Sequence, residues 1–339
     1  MRIVISTKRY RPIIGGSIQY AVMLAGAFRE KGHDVRIMTR TPGPNNENNL
    51  YRKPSAKMTL ELAAWSDVLL QVDASWRDVW PFLIKRVPWF PTIHFGYPQG
   101  PLSSRTKLEL AGLKTAFQIG RPISVGHEVA RSWALGDIII PNPYDDSIFH
   151  KPPAEHPRDI DLLFVGRIEH SKGVFIMLDA LRQIAPTLFS PIRCAFVGSG
   201  VDETRLAQEI DLGIDNVIFE SPGACTPAEV AHWMRRSRCL VFPTTPDWIE
   251  ASPLTPLEAL ACGCRIIATD NGGTRENIGP QGTLVTSGDT KSLQQALHQE
   301  LTNPTPVDHD AVESFLSFRR LPVVAAQYLH HFEQAIKPR

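Results

Sequence analysis

Short runs of β-branched and aromatic residues alternate with helix-length segments along the whole chain, and the series occurs twice. In the first half RIVIST, DVRIMT, DVLLQVD, WFPTIH, RPISV and DIIIPN read as strands; in the second, DLLFVG, RCAFVG, NVIFES, CLVFP, CRIIAT and GTLVT do. Strands spaced by helical segments do not pair as hairpins, so each series predicts a parallel sheet with crossover helices on its faces. The first crossover, SIQYAVMLAGAFREKG, sets Val22, Leu24, Ala25 and Phe28 on one face, stops at Gly32 and takes Ser17 as its N-cap. Between the series lies PNPYDDSIFHKPPAEHPRD, residues 141–159, rich in Pro and charge and without apolar periodicity, as an interdomain link should be. The expectation is an α/β chain of two doubly wound, Rossmann-like domains, 1–141 and 142–318, with the last helical segment, 319–339, packing back on the first. Such sheets bind ligands at the carboxyl ends of their strands, so residues just after strands carry the information.

At 339 residues and 43% hydrophobic content the chain can fill two cores. MRIVIST lacks a signal-peptide core, and no run reaches the roughly 18 apolar residues of a spanning helix, so a cytoplasmic location is expected. Cys194, Cys225, Cys239, Cys262 and Cys264 are read as reduced core residues, and Cys262 and Cys264 lack a second pair at zinc spacing. The net charge of +1 conceals an asymmetry: 19 Lys and Arg against 10 Asp and Glu in residues 1–141, and 17 against 25 after them. The basic half either faces something anionic, such as a phosphorylated acceptor or a membrane surface, or simply complements the acidic half. Residues 75–90, SWRDVWPFLIKRVPWF, set Trp76, Trp80, Phe82, Leu83, Trp89 and Phe90 beside Lys85 and Arg86. That pattern fits peripheral contact with the inner face of a membrane, or equally a core helix followed by a buried strand. No nucleic-acid partner is expected.

The stretch DWIEASPLTPLEALACG, residues 247–263, holds two glutamates that cannot share one uninterrupted helix, because Pro253 and Pro256 lie between them. Thr255, Pro256 and Glu258 fit a helix start, with Thr255 as N-cap and Glu258 reaching back as a capping box. Glu250 has no such use and lies in the loop after CLVFP. Backbone N–H groups of Ser252, Leu254 and Thr255 at the helix start suit a phosphate or sugar hydroxyls, and two acceptor-only carboxylates suit a polyhydroxy ligand. After DLLFVG, Arg167 follows at once, and Lys172 with Gly173 opens the next helix. A guanidinium fork and a compact ammonium aimed at one spot can hold a diphosphate whose charge grows as a bond to it breaks.

The two glutamates at this strand-loop-helix junction, running on into EALACGC and IIATDNGGTRENI, resemble the donor-site signature of family 4 glycosyltransferases, the retaining branch of the GT-B fold. Arg167 and Lys172 are similar to that family's GR…KG motif, and the resemblance covers nearly the whole chain. It implies two domains facing across a cleft, the first binding acceptor and the second donor. By the same resemblance Glu250 contacts the transferred sugar, Glu258 holds the ribose, and Arg167 and Lys172 stabilise the departing diphosphate. Gly272 and Gly273 would line the donor cleft, Gly198 of FVGSG would lie near the base, Gly16 would face the diphosphate and acceptor, and His94 would orient the sugar. Ser252 departs from the pattern, standing where many relatives have Phe. The acidic triplet DID at 159–161 precedes a strand rather than following one, so no metal is expected, and no cofactor beyond a nucleoside diphosphate sugar as donor substrate. The resemblance implies a retaining, metal-independent hexosyltransferase acting on an acceptor hydroxyl, the acceptor being anionic or lipid-linked. An epimerase or a sugar phosphorylase on the same fold, and a non-catalytic sugar-nucleotide-binding protein, stay open. A dehydrogenase is the weakest reading, because a glycine fingerprint with a following acidic residue is missing.

Overall fold

The computed structural model describes residues 1–13, 15–43, 49–72, 76–96, 103–135, 138–151 and 157–336. Residues 97–100 of the turn after His94, Ser75, and residues 152–156 of the interdomain segment lie outside the described residues. The chain forms two compact units: Met1–Pro143 together with the segment from Arg319 onward, and Tyr144–Phe318.

In the first unit the strands are β1 (Arg2–Thr7), β2 (Asp34–Thr39), β3 (Leu50–Arg52), β4 (Val68–Val72), β5 (Trp89–Ile93), β6 (Ile123–Ser124) and β7 (Ile138–Ile139). They make a parallel sheet in the order β3-β2-β1-β4-β5-β6-β7. The helices are α1 (Gly16–Glu30), α2 (Ala56–Trp65), α3 (Trp76–Ile84), α4 (Ser104–Ile119) and α5 (His127–Trp133). β1 shows why its sequence reads as an unbroken apolar run: Ile3 and Ile5 join one core cluster, Val4 the other, so both faces are covered. β3 was not legible as a strand, since it is three residues long and of these only Leu50 is buried. Ser17 is not the cap of α1 either. The helix begins at Gly16, with Gly15, two residues before Ser17, in the cap position and no side-chain cap.

The second unit holds β8 (Ile160–Val165), β9 (Ile192–Val197), β10 (Val217–Gly223), β11 (Ser237–Phe242), β12 (Arg265–Asp270) and β13 (Thr283–Thr286), again parallel, in the order β10-β9-β8-β11-β12-β13. Its helices are α6 (Val174–Ile184), α7 (Glu203–Leu212), α8 (Pro227–Arg236), α9 (Leu254–Ala261), α10 (Thr290–Thr302) and α11 (His309–Ser317). The cysteines are free; Cys194, Cys239, Cys262 and Cys264 are buried, while Cys225 is half-buried.

The last helix, α12 (Leu321–Ile336), belongs to the first unit. Phe332 sits 4.8 Å from the Phe90 ring and 5.8 Å from Phe28, and Tyr328 shares a buried hydroxyl contact with Tyr20. Each buried aromatic contributes roughly 1.5–3 kcal/mol. That is ample to hold one amphipathic helix on the sheet.

Candidate functional site

Strand order builds the site in the second unit. β8 is the neighbour of β11, so the loops leaving their carboxyl ends lie side by side where the strand order reverses. After β8 the backbone passes Arg167, makes a 3-10 turn at His170–Lys172, and enters α6 through Gly173, whose φ is 77°. A Cβ on Gly173 would lie 1.9 Å from the Pro243 carbonyl oxygen, so the turn closes on the end of β11 only because the residue is glycine. The Thr245 N–H donates to the Ser171 carbonyl at 3.0 Å and joins the two loops.

Across this seam Lys172 Nζ donates to Glu250 Oε1 at 2.6 Å, and Thr244 Oγ1 donates to the same oxygen at 3.1 Å. Both charged side chains are largely withdrawn from water, 14% and 10% exposed. Such a pair is tolerated because attraction and added hydrogen bonds offset the desolvation of each charge. The Trp248 ring lies 4.7 Å from Lys172 Nζ and 5.2 Å from the Arg167 guanidinium carbon, so both cations gather at one aromatic. Arg167 also pairs with Glu169 at 2.7 Å, and Glu169 accepts from Ser171 Oγ at 2.6 Å. Trp248, Thr244 and Glu169 were not singled out from sequence. The available signal was an aromatic two residues before Glu250, in a loop and outside any periodic segment.

The glycines act on backbone rather than on open space. A Cβ at Gly272 would lie 2.1 Å from the Glu250 carbonyl oxygen, and one at Gly273 would lie 1.8 Å from that of Ala251. Gly273 N–H donates to the Glu250 carbonyl at 2.8 Å, so the 3-10 turn Gly272–Glu276 braces the Glu250 loop from behind. Gly198, with φ 144°, makes the same kind of approach to the Gly166 carbonyl beside Arg167. Asn277 Nδ2 donates to Ser252 Oγ at 2.8 Å and to the Pro253 carbonyl at 3.1 Å, a buried polar tie behind the start of α9.

The capping-box expectation is corrected. α9 starts at Leu254 on Pro253 as N-cap, and no side chain caps it. Thr255 and Pro256 therefore lie inside the first turn, where the missing Pro256 N–H is no loss, and the first-turn amides of Leu254 and Thr255 have no intrahelical acceptor. Glu258 sits further along the helix and does not reach back. Burial, with a smaller effect of the Asp145 charge, raises its carboxyl to about 7. Because the folded value lies above the ordinary 4.5, the native state holds this proton more tightly than the unfolded chain does. Its contribution is full below pH 4.5 and is lost as pH rises through 7. Glu258→Gln is therefore expected to be the more stable protein at pH 8, by about 3 kcal/mol, with the difference vanishing near pH 4.5. Urea unfolding of both proteins across that range checks it; a constant difference would mean that Glu258 titrates normally.

His94 and Gly16 belong to the first unit. The His94 ring meets Tyr20 edge-on at 4.5 Å, and its Nε2 is 2.9 Å from Thr92 Oγ1. Gly16 opens α1, and a Cβ there would meet nothing within 4 Å. Asp159 of the acidic triplet pairs with Arg236 at 2.6 Å and Asp161 with Arg238 at 3.2 Å. Among the described residues no group of three or more His, Cys, Asp or Glu side chains is arranged to hold a metal, and no helix is long and apolar enough to cross a membrane.

Two parallel-sheet α/β units, the second with cations and a carboxylate at its topological switch point, define the GT-B class of fold. A family model for group 1 glycosyl transferases matches residues 145–314, half of the chain, and the chain belongs to that family. A D-inositol 3-phosphate glycosyltransferase of Frankia alni is 34% identical over 159 residues, 43% of this chain and 38% of that one. The chain thus matches well under half the length of this curated relative. An alpha-maltose-1-phosphate synthase of Mycolicibacterium smegmatis is 26% identical over 268 residues, 71% of this chain and 66% of that one. Among solved structures, Anabaena HepE in complex with UDP and glucose superposes with a TM-score of 0.78 at 16% identity, covering 98% of this chain and 100% of that one. Sucrose-phosphate synthase of Thermosynechococcus elongatus gives 0.75 at 19% identity, covering 98% and 99%.

Proposed function

We propose that this protein is a retaining glycosyltransferase that moves a hexose from a nucleoside diphosphate donor to an acceptor hydroxyl without a metal ion. The observation that carries the reading is the Lys172–Glu250 pair at the β8–β11 seam, with Arg167 and Trp248 beside it. Lys172 commits one N–H to Glu250, and among the described residues its other two donors have no acceptor, which suits a phosphate oxygen. Arg167 adds a half-exposed guanidinium at the same aromatic. Together they stabilise the charge that develops as the sugar-diphosphate bond breaks. Glu250 receives Lys172 and Thr244 on Oε1 alone, which leaves Oε2 to accept a sugar hydroxyl. Glu258, with the first-turn amides of α9, holds the ribose and a donor oxygen, and a donor phosphate oxygen takes the acceptor proton. His94 and Gly16 serve the sugar and acceptor from the first unit.

UDP is the first nucleotide to test, since the HepE structures carry UDP, glucose and UDP-glucose. The names of relatives support a polyol phosphate as acceptor. Trp76, Trp80 and Ile84, exposed on successive turns of α3, support peripheral contact with a membrane, whereas Phe82, Trp89 and Phe90 are core. The deciding experiment is thermal stabilisation by a panel of nucleoside diphosphates and their sugars in the presence of a chelator, for wild type and Arg167→Ala. One base at 100 times its Kd should add about 2.7 kcal/mol, or about 5–10 °C for a unit of this size, and the shift should shrink in the variant. Stabilisation that needs an added divalent ion, or by no member of the panel, defeats the proposal.

A further inference from the structure

The imidazole of His94 rests on two side chains of the first unit, and one of them leads to the far end of the chain. Thr92, two residues earlier on β5 and buried, sets its Oγ1 2.9 Å from His94 Nε2. The same hydroxyl donates its single proton to the Gln71 carbonyl of β4 at 3.3 Å, an oxygen that can only accept. With that proton committed, Thr92 Oγ1 meets the imidazole as an acceptor, so Nε2 is the nitrogen that carries the ring proton. The neutral ring then holds its lone pair on Nδ1.

The plane of the ring is set separately. Tyr20 of α1 packs against it with centroids 4.5 Å apart and planes at 73°. Tyr20 is in turn held by Tyr328 of α12, 308 residues along the chain: the two hydroxyls share a hydrogen bond, and the rings stand 6.4 Å apart. Both side chains are buried. Burial raises both hydroxyls above their ordinary range, so neither ionises and each keeps its proton. A hydrogen bond between two hydroxyls cut off from water is costly to break, which makes the Tyr20 ring a fixed wall for the imidazole. The returning helix thus reaches His94 through one intermediary.

We propose that Thr92 and the Tyr20–Tyr328 pair are positioning residues for His94, Thr92 fixing its tautomer and the tyrosines its plane. The inference rests on the reading that His94 orients the transferred sugar, and it makes that reading more specific: the ring meets a sugar hydroxyl as an acceptor at Nδ1. The ring nitrogens are observed by NMR in protein carrying isotope-labelled histidine, without substrate and in mildly alkaline buffer, with His94→Gln to assign the signals. Wild type, Thr92→Val, Thr92→Ser, Tyr328→Leu and Phe332→Leu are compared. In wild type and Thr92→Ser, Nε2 should show the shift of a protonated nitrogen and Nδ1 that of a bare one. In Thr92→Val the two shifts should draw together as both tautomers become populated. Phe332→Leu removes a ring from the same helix, packed on Phe28 and Phe90, but leaves both tyrosine hydroxyls in place. Tyr328→Leu alone should therefore move the carbon-bound ring protons of His94. In transfer assays Thr92→Val and Tyr328→Leu should lower kcat about tenfold with donor KM held within about twofold, and Thr92→Ser should recover the rate. A proton on Nδ1, or a separation of shifts indifferent to Thr92→Val, overturns the tautomer assignment. Equal effects of Tyr328→Leu and Phe332→Leu on the His94 signals overturn the tyrosine link, and a wild-type kcat in Thr92→Val makes Thr92 merely structural. The spectra need no substrate, so a protein that transfers no sugar fails the reaction proposed above while these signals still decide how His94 is held.

Discussion

Replacing Lys172 by methionine is expected to lower sugar transfer about 10²- to 10³-fold and to destabilise the second unit by about 3 kcal/mol. On the proposed reading, the kinetic loss comes from removing the ammonium that would meet the departing diphosphate. The stability loss has another source. Glu250, 10% exposed at its side chain, keeps only the Thr244 hydroxyl on Oε1 and becomes a nearly buried, uncompensated carboxylate. Adding Glu250→Gln to the same chain removes that charge, so most of the stability should return while transfer stays low. Steady-state rates with the donor found by thermal shift, set beside urea unfolding of the single and double variants, separate the two effects. A Lys172→Met protein that transfers sugar at the wild-type rate would show that the lysine only neutralises Glu250.

Gly173→Ala is expected to cost more than about 3 kcal/mol and to abolish transfer together with Lys172 function. Two penalties combine. Alanine is strained at φ 77°, by about 1–2 kcal/mol, and its Cβ meets the Pro243 carbonyl oxygen at 1.9 Å. The obstacle is backbone, so no rotamer relieves it, and the 170–173 turn must lift from the end of β11. That movement separates Lys172 from Glu250. Gly32→Ala is the control, since Gly32 has φ 81° but an added Cβ meets nothing within 4 Å, and a loss of about 1 kcal/mol is expected there. Equal losses in the two variants, measured by chemical denaturation, would refute the backbone collision.

Lys172 and Gly173 also mark the boundary between what is legible in the chain and what is not. Both sheets are readable from the alternation alone, because strands buried on both faces are continuous apolar runs and the helices between them have their own period. β3 escapes, being too short for any period, as does the start of α9. There the Thr-Pro-x-Glu pattern competes with Pro253, whose ring already fixes φ near the value an N-cap accepts. The candidate residues Arg167, Lys172, Glu250 and Glu258 all stand in segments leaving the carboxyl end of a strand, and such a position can be read locally.

Local reading does not disclose who meets whom. Lys172 and Glu250 are 78 residues apart, and they touch because β8 and β11 are neighbours in the sheet. The same adjacency sets Trp248 beside both cations and makes Gly173 indispensable. The turn after β12 likewise presses Gly272 and Gly273 against the Glu250 backbone. Periodicity and turn residues act within a few positions, so the two parallel sheets and the loops that carry chemistry are written in the order of the amino acids. The ion pair, its aromatic cover and the glycine contacts are not, since they depend on strand order, and strand order is settled by packing the whole sheet.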